Sequence, residues 1–513
     1  MDTASIADRV RAAYRRGSEA VGEVVAQSVG ELAAQMERLV ARIVGVEAEN
    51  AGLKTQMEAL GVENAELRAE NAALRARLAT NSRNSSQPPS ADGPGVKPHP
   101  KSQRVTSGRK PGGQPGHVGH SLRLVEDPDA VVVHAPPHCS VCQQDLADVA
   151  VVRQERRQVV DLPPIKVRVV EHQVQTKCCP RCGTETSGVF PAEVAAPVQY
   201  GPGVATVGVY LTQEQLLPWQ RTSAVLADVF GCPIAEGTLE KAVATCHGQL
   251  AEVEAAIKAG ISQASVAHFD ETGVNLAGQT NWLHAASTAH LTFYAAHPKR
   301  GREAFDAIGL LPLFRGRAVH DGWGSYWQYA TCAHALCNGH HLRELTFVEE
   351  ELGQIWARDL KKLLREIKQT VETARTQGRT ELAEEVKREF ATHYDTILAD
   401  GLQVNPPPVP TGQRGRPKRG KAGSLVDRLI AHKEPTLAFL DDFAVPFDNN
   451  LVERDIRMTK VREKISGCFR TPQGAARFCR IRGYISTLRK QGMPILSSLG
   501  QAIAGNPPLP ATN

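Results

Sequence analysis

The chain has 513 residues, too many for one ordinary core, and its 42% hydrophobic and 22% charged composition is that of a folded, multidomain protein. The net charge of +5 does not by itself argue for a nucleic-acid partner. No uncharged apolar stretch reaches the length of a membrane span, and residues 1–21 lack the apolar run of a secretory leader, so a cytoplasmic chain with no membrane partner is expected.

The first predicted element is a coiled coil over residues 25–80. Leu32, Leu39, Val46, Leu53, Leu60, Leu67 and Leu74 recur every seven residues, and Met36, Ile43, Asn50, Met57, Asn64, Asn71 and Leu78 fill the second seam position. A 3.5-residue apolar repeat keeps one seam facing a partner helix, so a homodimer is expected, with Leu53, Leu60, Leu67 and Leu74 in the seam. Residues 81–123 are rich in Pro, Ser, Gly and Asn, and Arg109 and Lys110 add basic charge, so a flexible basic linker is predicted.

A small β-rich module is expected over residues 124–197, with short strands at 131–133, 149–152 and 166–174. It carries Cys139-Ser-Val-Cys142 and Cys179-Pro-Arg-Cys182. Two such knuckles bring four thiolates to tetrahedral reach, which suits Zn²⁺; with no open position the metal would be structural. Cys178 adjoins the second knuckle, but the two-residue spacer selects Cys179.

Residues 198–260 read as a helical, DNA-binding region. From 261 an α/β pattern begins: Val266-Ala-His-Phe-Asp270 and Arg317-Ala-Val-His-Asp321 are short apolar runs that each end in an acid. Carboxylates at strand ends project toward one cleft, and two Mg²⁺ ions about 4 Å apart, held by such acids, serve phosphoryl transfer. Glu453 follows Phe447-Asp-Asn-Asn450 at the start of a predicted helix, 132 residues after Asp321. Spacing alone does not select these three among 55 acids.

A helical insertion is expected over about 341–440. Within it Arg414-Gly-Arg-Pro417, followed by Lys418, reads either as a basic surface loop or as a hook for a narrow minor groove. His340 and His341 read as structural histidines. Between Arg454 and Lys490 there are eleven Lys/Arg against Asp455 and Glu463, which suggests a phosphate-facing surface that includes Arg454, Arg457 and Lys460. Residues 496–513 form a tail.

Several blocks, in order, resemble the insertion sequence 66 family of transposases. They are Asn81-Ser-Arg-Asn-Ser-Ser-Gln-Pro-Pro-Ser90, Gly112-Gly-Gln-Pro-Gly-His117, Asp270-Glu-Thr-Gly273, Val319-His-Asp-Gly-Trp323, Cys337-Asn-Gly-His-His-Leu-Arg-Glu-Leu345, Asn449-Asn-Leu-Val-Glu-Arg454, Lys464-Ile-Ser-Gly467 and Ser486-Thr-Leu-Arg-Lys-Gln-Gly492. The resemblance implies an RNase H-like catalytic core over 261–495 and a metal triad of Asp270, Asp321 and Glu453 holding two Mg²⁺ or Mn²⁺ ions. It also implies a bacterial, nucleoid-associated enzyme that cuts element ends at inverted repeats and joins them to target DNA, with accessory transposition proteins as further partners. A non-catalytic DNA-binding regulator would share the zipper and the zinc module. It would have no use for three acids beside a phosphate backbone.

Overall fold

The computed structural model describes residues 3–81, 84–85, 116, 122–162, 165–408 and 419–512. Most of the expected linker, with Arg109 and Lys110, and the loop with Arg414, Arg416 and Lys418 lie outside the described residues. The chain divides into two units, one of them residues 1–82 with 87–91.

That first unit is helical. Helix α1 (Thr3–Tyr14) turns at Gly17, whose φ of 117° suits glycine alone, into α2 (Ser18–Leu78), one uninterrupted helix of 61 residues. The two pack through Ala13 and Ser28, and Arg9 pairs with Glu31 at 3.6 Å. The heptad leucines of α2 stand exposed, Leu53 by 57% and Leu74 by 47%. Asn64 and Asn71 donate to the carbonyls of Leu60 and Leu67 one turn back.

The second unit opens with the cysteine module. Among the described residues its only strands are β1 (Thr176–Cys178) and β2 (Glu185–Ser187), an antiparallel pair. The strands expected at 131–133, 149–152 and 166–174 do not form, so the module is mostly irregular and not β-rich. Val131, Val132 and Val133 are 70–75% exposed; their β-propensity finds no neighbouring strand or apolar face to act on.

Helices α3 (Pro202–Val209), α4 (Trp219–Phe230), α5 (Glu236–Gln249) and α6 (Ala251–Gln263) follow. Then comes a mixed sheet: β3 (Val266–Leu276), β4 (Gln279–Ser287), β5 (Thr292–His297), helix α7 (Arg302–Ile308), β6 (Arg317–His320) and β7 (Ala333–Leu336). The strand order is β5-β4-β3-β6-β7; β3, β4 and β5 run antiparallel, whereas β6 and β7 run parallel to β3. Helices α8 (Asn338–Leu352), α9 (Ile355–Thr376), α10 (Glu384–Val404), α11 (Lys421–Ala431) and α12 (Lys433–Asp441) intervene before α13 (Asn450–Ser466), α14 (Pro472–Lys490) and α15 (Ile495–Ile503). In α9 the buried Leu360, Leu363, Leu364, Ile367, Val371 and Ala374 recur at three- and four-residue steps, which gives it one apolar face.

Alternation along β3 assigns its two faces. Ala267 and Phe269 join a core built with α5, α6, α14 and α15, through residues such as Ile257, Tyr484 and Leu499. Val274, on the other face, packs with Val452 and Ile456 of α13. Helix α14 starts where Pro472 follows Thr471, whose hydroxyl accepts from Gly474 N at 3.0 Å. It lies close on β5 because residue 483 is glycine; a Cβ there would stand 3.1 Å from the Thr292 carbonyl.

Candidate active site and zinc knuckles

Strand β3 does not end at Asp270, as the apolar run suggested; it continues to Leu276, paired with β4. What ends is its pairing with β6. Val266, Ala267 and His268 lie beside Arg317, Ala318 and Val319. Extending that parallel register by two places sets Asp270 beside Asp321, just past the end of β6. Both side chains then fall on one face, because they share the parity of the register. The register of β6 with β7, His320 beside Leu336, likewise sets Cys337 beside Asp321.

Asp270 shares its face with His268 and Val274, the face covered by α13, which carries Glu453 in its first turn. Asn449 joins the two elements. Its side-chain nitrogen donates to Phe269 O at 2.9 Å, and its oxygen lies 2.8 Å from His268 Nδ1. The residue before the helix thus holds the strand residues that precede Asp270, and this tie carries Glu453 back across the helical insertion.

Burial raises the Asp270 carboxyl well above the usual carboxylate range, and Glu271, Asp321 and Glu453 push it further in the same direction. Its Oδ1 accepts a hydrogen bond from Glu271 N at 2.9 Å. Burial also raises Glu453, with Arg343 pulling it back and Asp448 and Asp321 adding to the rise. Asp321 accepts from Trp323 N at 2.8 Å and lies 3.7 Å from Arg300. The three acids thus lie near enough to influence one another's charge, although their carboxylate oxygens do not all come within 4.8 Å of one another. A divalent cation would offset both the burial and the acidic neighbours that raise Asp270 and Glu453.

Glu271 stands apart from that group. Its carboxylate is already taken by Arg300 at 2.7 Å and the Tyr326 hydroxyl at 2.6 Å. Arg300 is held between the rings of Trp282 and Trp323, at 5.0 and 4.0 Å. It is the one guanidinium bonded both to Glu271 and, more loosely, to Asp321, and no sequence motif marks it. Trp323 and Asn449 lie within the family-like motif blocks, but nothing in their residue type marks their roles. His341 is buried against Asn338 at 3.0 Å, and burial lowers it to about 3. His340 is also lowered to about 3, by burial, Arg343 and Arg428, and it faces Glu453 at 3.9 Å.

The basic stretch after Glu453 differs from its expected role. Arg482 and Arg489 both bind the buried Glu214, Arg482 at 2.5 Å. Arg477 pairs with Glu240 at 2.7 Å, Arg480 with Glu254 at 2.9 Å and Lys490 with Asp455 at 2.8 Å. Lys460 donates to Gly273 O and to Glu463. Arg477, Arg480, Arg482 and Arg489 find their partners on elements far away in the chain, which counting local charge could not reveal, whereas Lys460 and Lys490 use Glu463 and Asp455 of the same stretch. Arg454 and Arg457 remain exposed on α13.

The two cysteine knuckles repeat one geometry. Cys139 N donates to Gln144 O at 2.8 Å and Gln143 N to Cys139 O at 3.0 Å; Cys179 N donates to Thr184 O at 2.9 Å and Gly183 N to Cys179 O at 2.8 Å. Gln143 (φ 58°) and Gly183 (φ 70°) occupy equivalent left-handed positions. The second knuckle is the turn of the β1–β2 hairpin. Hydrogen bonds lower the Cys139 thiol, chiefly from the backbone of Cys142, and the Cys182 thiol, chiefly from the Thr184 side chain. Lowered thiols in matched turns fit a thiophilic metal. Each knuckle is a two-sulfur half-site, and the four sulfurs are not gathered into one group. Cys178 belongs to β1, with its sulfur directed to Gly183 O at 3.4 Å.

A mixed sheet with Asp270 and Asp321 at the end of its central parallel pair, together with a two-knuckle cysteine module, defines a multidomain protein. Residues 197–477, more than half of the chain, match the family described as Transposase IS66 family, and the chain belongs to that family. Residues 136–183 match the zinc-finger binding domain of transposase IS66, and residues 11–123 match a family of unknown function (DUF6444). No curated protein matches the chain. Membership implies transposition, and with it a DNA partner. Among the described residues, no helix is long and apolar enough to cross a membrane.

Proposed function

We propose that the chain is a DNA transposase that hydrolyses the phosphodiester at element ends and transfers the freed 3′-OH into target DNA, using Asp270, Asp321 and Glu453. The observation that supports this reading is the register that sets Asp270 beside Asp321 on the face covered by α13, with Asp270 raised by burial, Glu271, Asp321 and Glu453. The strand order and directions support an RNase H-like core. Asp270, Asp321 and Glu453 would hold Mg²⁺ or Mn²⁺. When bound, such ions lower the pKa of the attacking water or hydroxyl and neutralise charge on the leaving oxygen. The protein's own part is positioning: Asn449 fixes α13 to β3, and Arg300, clamped by two tryptophans, holds Glu271 off the triad and steadies Asp321.

The remaining roles follow from exposure. Arg454 and Arg457 would meet phosphates beside the acids, with Lys460, Arg109, Lys110, Arg414, Arg416 and Lys418 as further contacts to terminal inverted repeats or target. The exposed heptad stripe of α2 supports a homodimeric coiled coil through Leu53, Leu60, Leu67 and Leu74, so that two ends are cut together. Cys139, Cys142, Cys179 and Cys182 would share one structural zinc. The setting would be the bacterial cytoplasm, on the nucleoid, with accessory transposition proteins as further partners.

The test is strand cleavage and joining on labelled element ends. Glu453→Gln keeps side-chain size and helix propensity; it should bind the ends by gel shift and lose at least about 10²-fold in cleavage. Glu389→Gln, on an exposed face of α10, should cleave as the wild type does. Cleavage by Glu453→Gln at the wild-type rate would remove it from the triad.

A further inference from the structure

Cys337, His340 and Glu453 present a sulfur, a ring nitrogen and a carboxylate oxygen that all lie within 4.8 Å of one another. Cys337 caps α8 and His340 lies in its first turn, so the Cys-x-x-His spacing turns both toward the first turn of α13. One oxygen serves both: Glu453 Oε1 is 3.9 Å from Cys337 Sγ and 3.9 Å from His340 Nδ1. The imidazole Nδ1 is buried and has no hydrogen-bond partner. Asn449 N donates to Cys337 Sγ at 3.1 Å, which opposes the burial that pushes this thiol up to about 12.

Around zinc, with Zn–S near 2.3 Å and Zn–N or Zn–O near 2.0–2.2 Å, a sulfur and an oxygen stand roughly 3.5–3.8 Å apart and a nitrogen and an oxygen roughly 3.3–3.6 Å. The two 3.9 Å edges to Glu453 need shorten by only a few tenths of an ångström to hold such an ion, and the sulfur–nitrogen edge lies within 4.8 Å. Thiolate, imidazole and carboxylate together suit a borderline-soft cation, whereas Mg²⁺ demands oxygen ligands.

We propose that Cys337, His340 and Glu453 form a second zinc site in which zinc takes Glu453 away from the magnesium-binding acids and so slows the reaction. Binding exchanges the thiol proton, released to water, for a zinc–sulfur bond; nothing is oxidised or reduced. Three protein ligands leave the fourth position to water. The competition with magnesium rests on the triad reading above; the zinc site itself does not.

The experiment uses the full chain, stripped of metal, dialysed against zinc and analysed for zinc per chain in the absence of DNA and magnesium. Wild type should hold two, Cys337→Ser and His340→Gln one each, and Cys142→Ser one, from the other site. Circular dichroism reports whether each variant is folded; if Cys337→Ser is not, His340→Gln carries the comparison. Folded Cys337→Ser or His340→Gln protein that holds as much zinc as wild type would overturn the site, whether or not the chain cleaves DNA. In an actively cleaving preparation, added zinc should slow cleavage several-fold, with recovery as Mg²⁺ rises. Cleavage indifferent to zinc would overturn the competition.

Discussion

Asp270→Asn should make the metal-free protein more stable while it disables the chemistry. Adjacent strands lie about 4.8 Å apart, and two like charges about 5 Å apart in an effective dielectric of ~20 repel by about 3 kcal/mol. The carboxyl partly escapes this by retaining its proton, since burial and its acidic neighbours hold it well above the usual range. The recoverable gain is therefore about 1–3 kcal/mol, or a Tm rise of about 1–4 °C for a unit of this size. Asparagine keeps an oxygen to accept Glu271 N, so that hydrogen bond survives. The pH dependence follows from the direction of the shift. The folded-state value lies above the unfolded one, so the wild type has its full stability below the ordinary carboxylate range. It loses stability as pH rises through that range toward the folded value. The variant should thus match the wild type near pH 4 and exceed it near pH 8, by thermal unfolding without metal. Added Mg²⁺ should raise the Tm of the wild type more than that of the variant. Cleavage should fall by at least about 10²-fold. A variant no more stable than wild type at pH 8 would refute the repulsion argument; one that cleaves normally would refute the triad.

In the cysteine module, Cys142→Ser should lose the module's zinc and its ordered turns, because three-residue strands do not stabilise themselves. Cys178→Ser should keep that zinc; elemental analysis decides, and a Cys142→Ser protein with unchanged zinc would sink the assignment. A chain lacking residues 1–80 should be monomeric by light scattering; if its mass still corresponds to two copies, the heptad stripe of α2 is not the dimer contact.

Features that depend on near neighbours were legible in the residues. The heptad repeat of 25–80 describes α2, which forms as one helix. The two Cys-x-x-Cys turns adopt matching hydrogen bonds because a tight turn is a property of five or six consecutive residues. Helices such as α9 follow from their own periodicity, and Asp270, Asp321 and Glu453 stand out only through the ordered motif blocks that contain them. The valines at 131–133 mark the limit even of local reasoning, since a strand exists only where another strand pairs with it.

Tertiary structure decided the pairings between distant segments. The β3–β6 register, and not the end of an apolar run, is what sets Asp270 beside Asp321. Asn449 brings Glu453 to them across 132 residues. Arg300, with no motif of its own, reaches the site by the fold alone. The basic residues after Glu453 look like a surface in the chain and turn out, for the most part, to neutralise acids such as Glu214 and Asp455. A residue's periodicity and turn chemistry are set by the few residues around it, whereas its charge partner and its strand neighbour are chosen by whatever the folded chain carries past it.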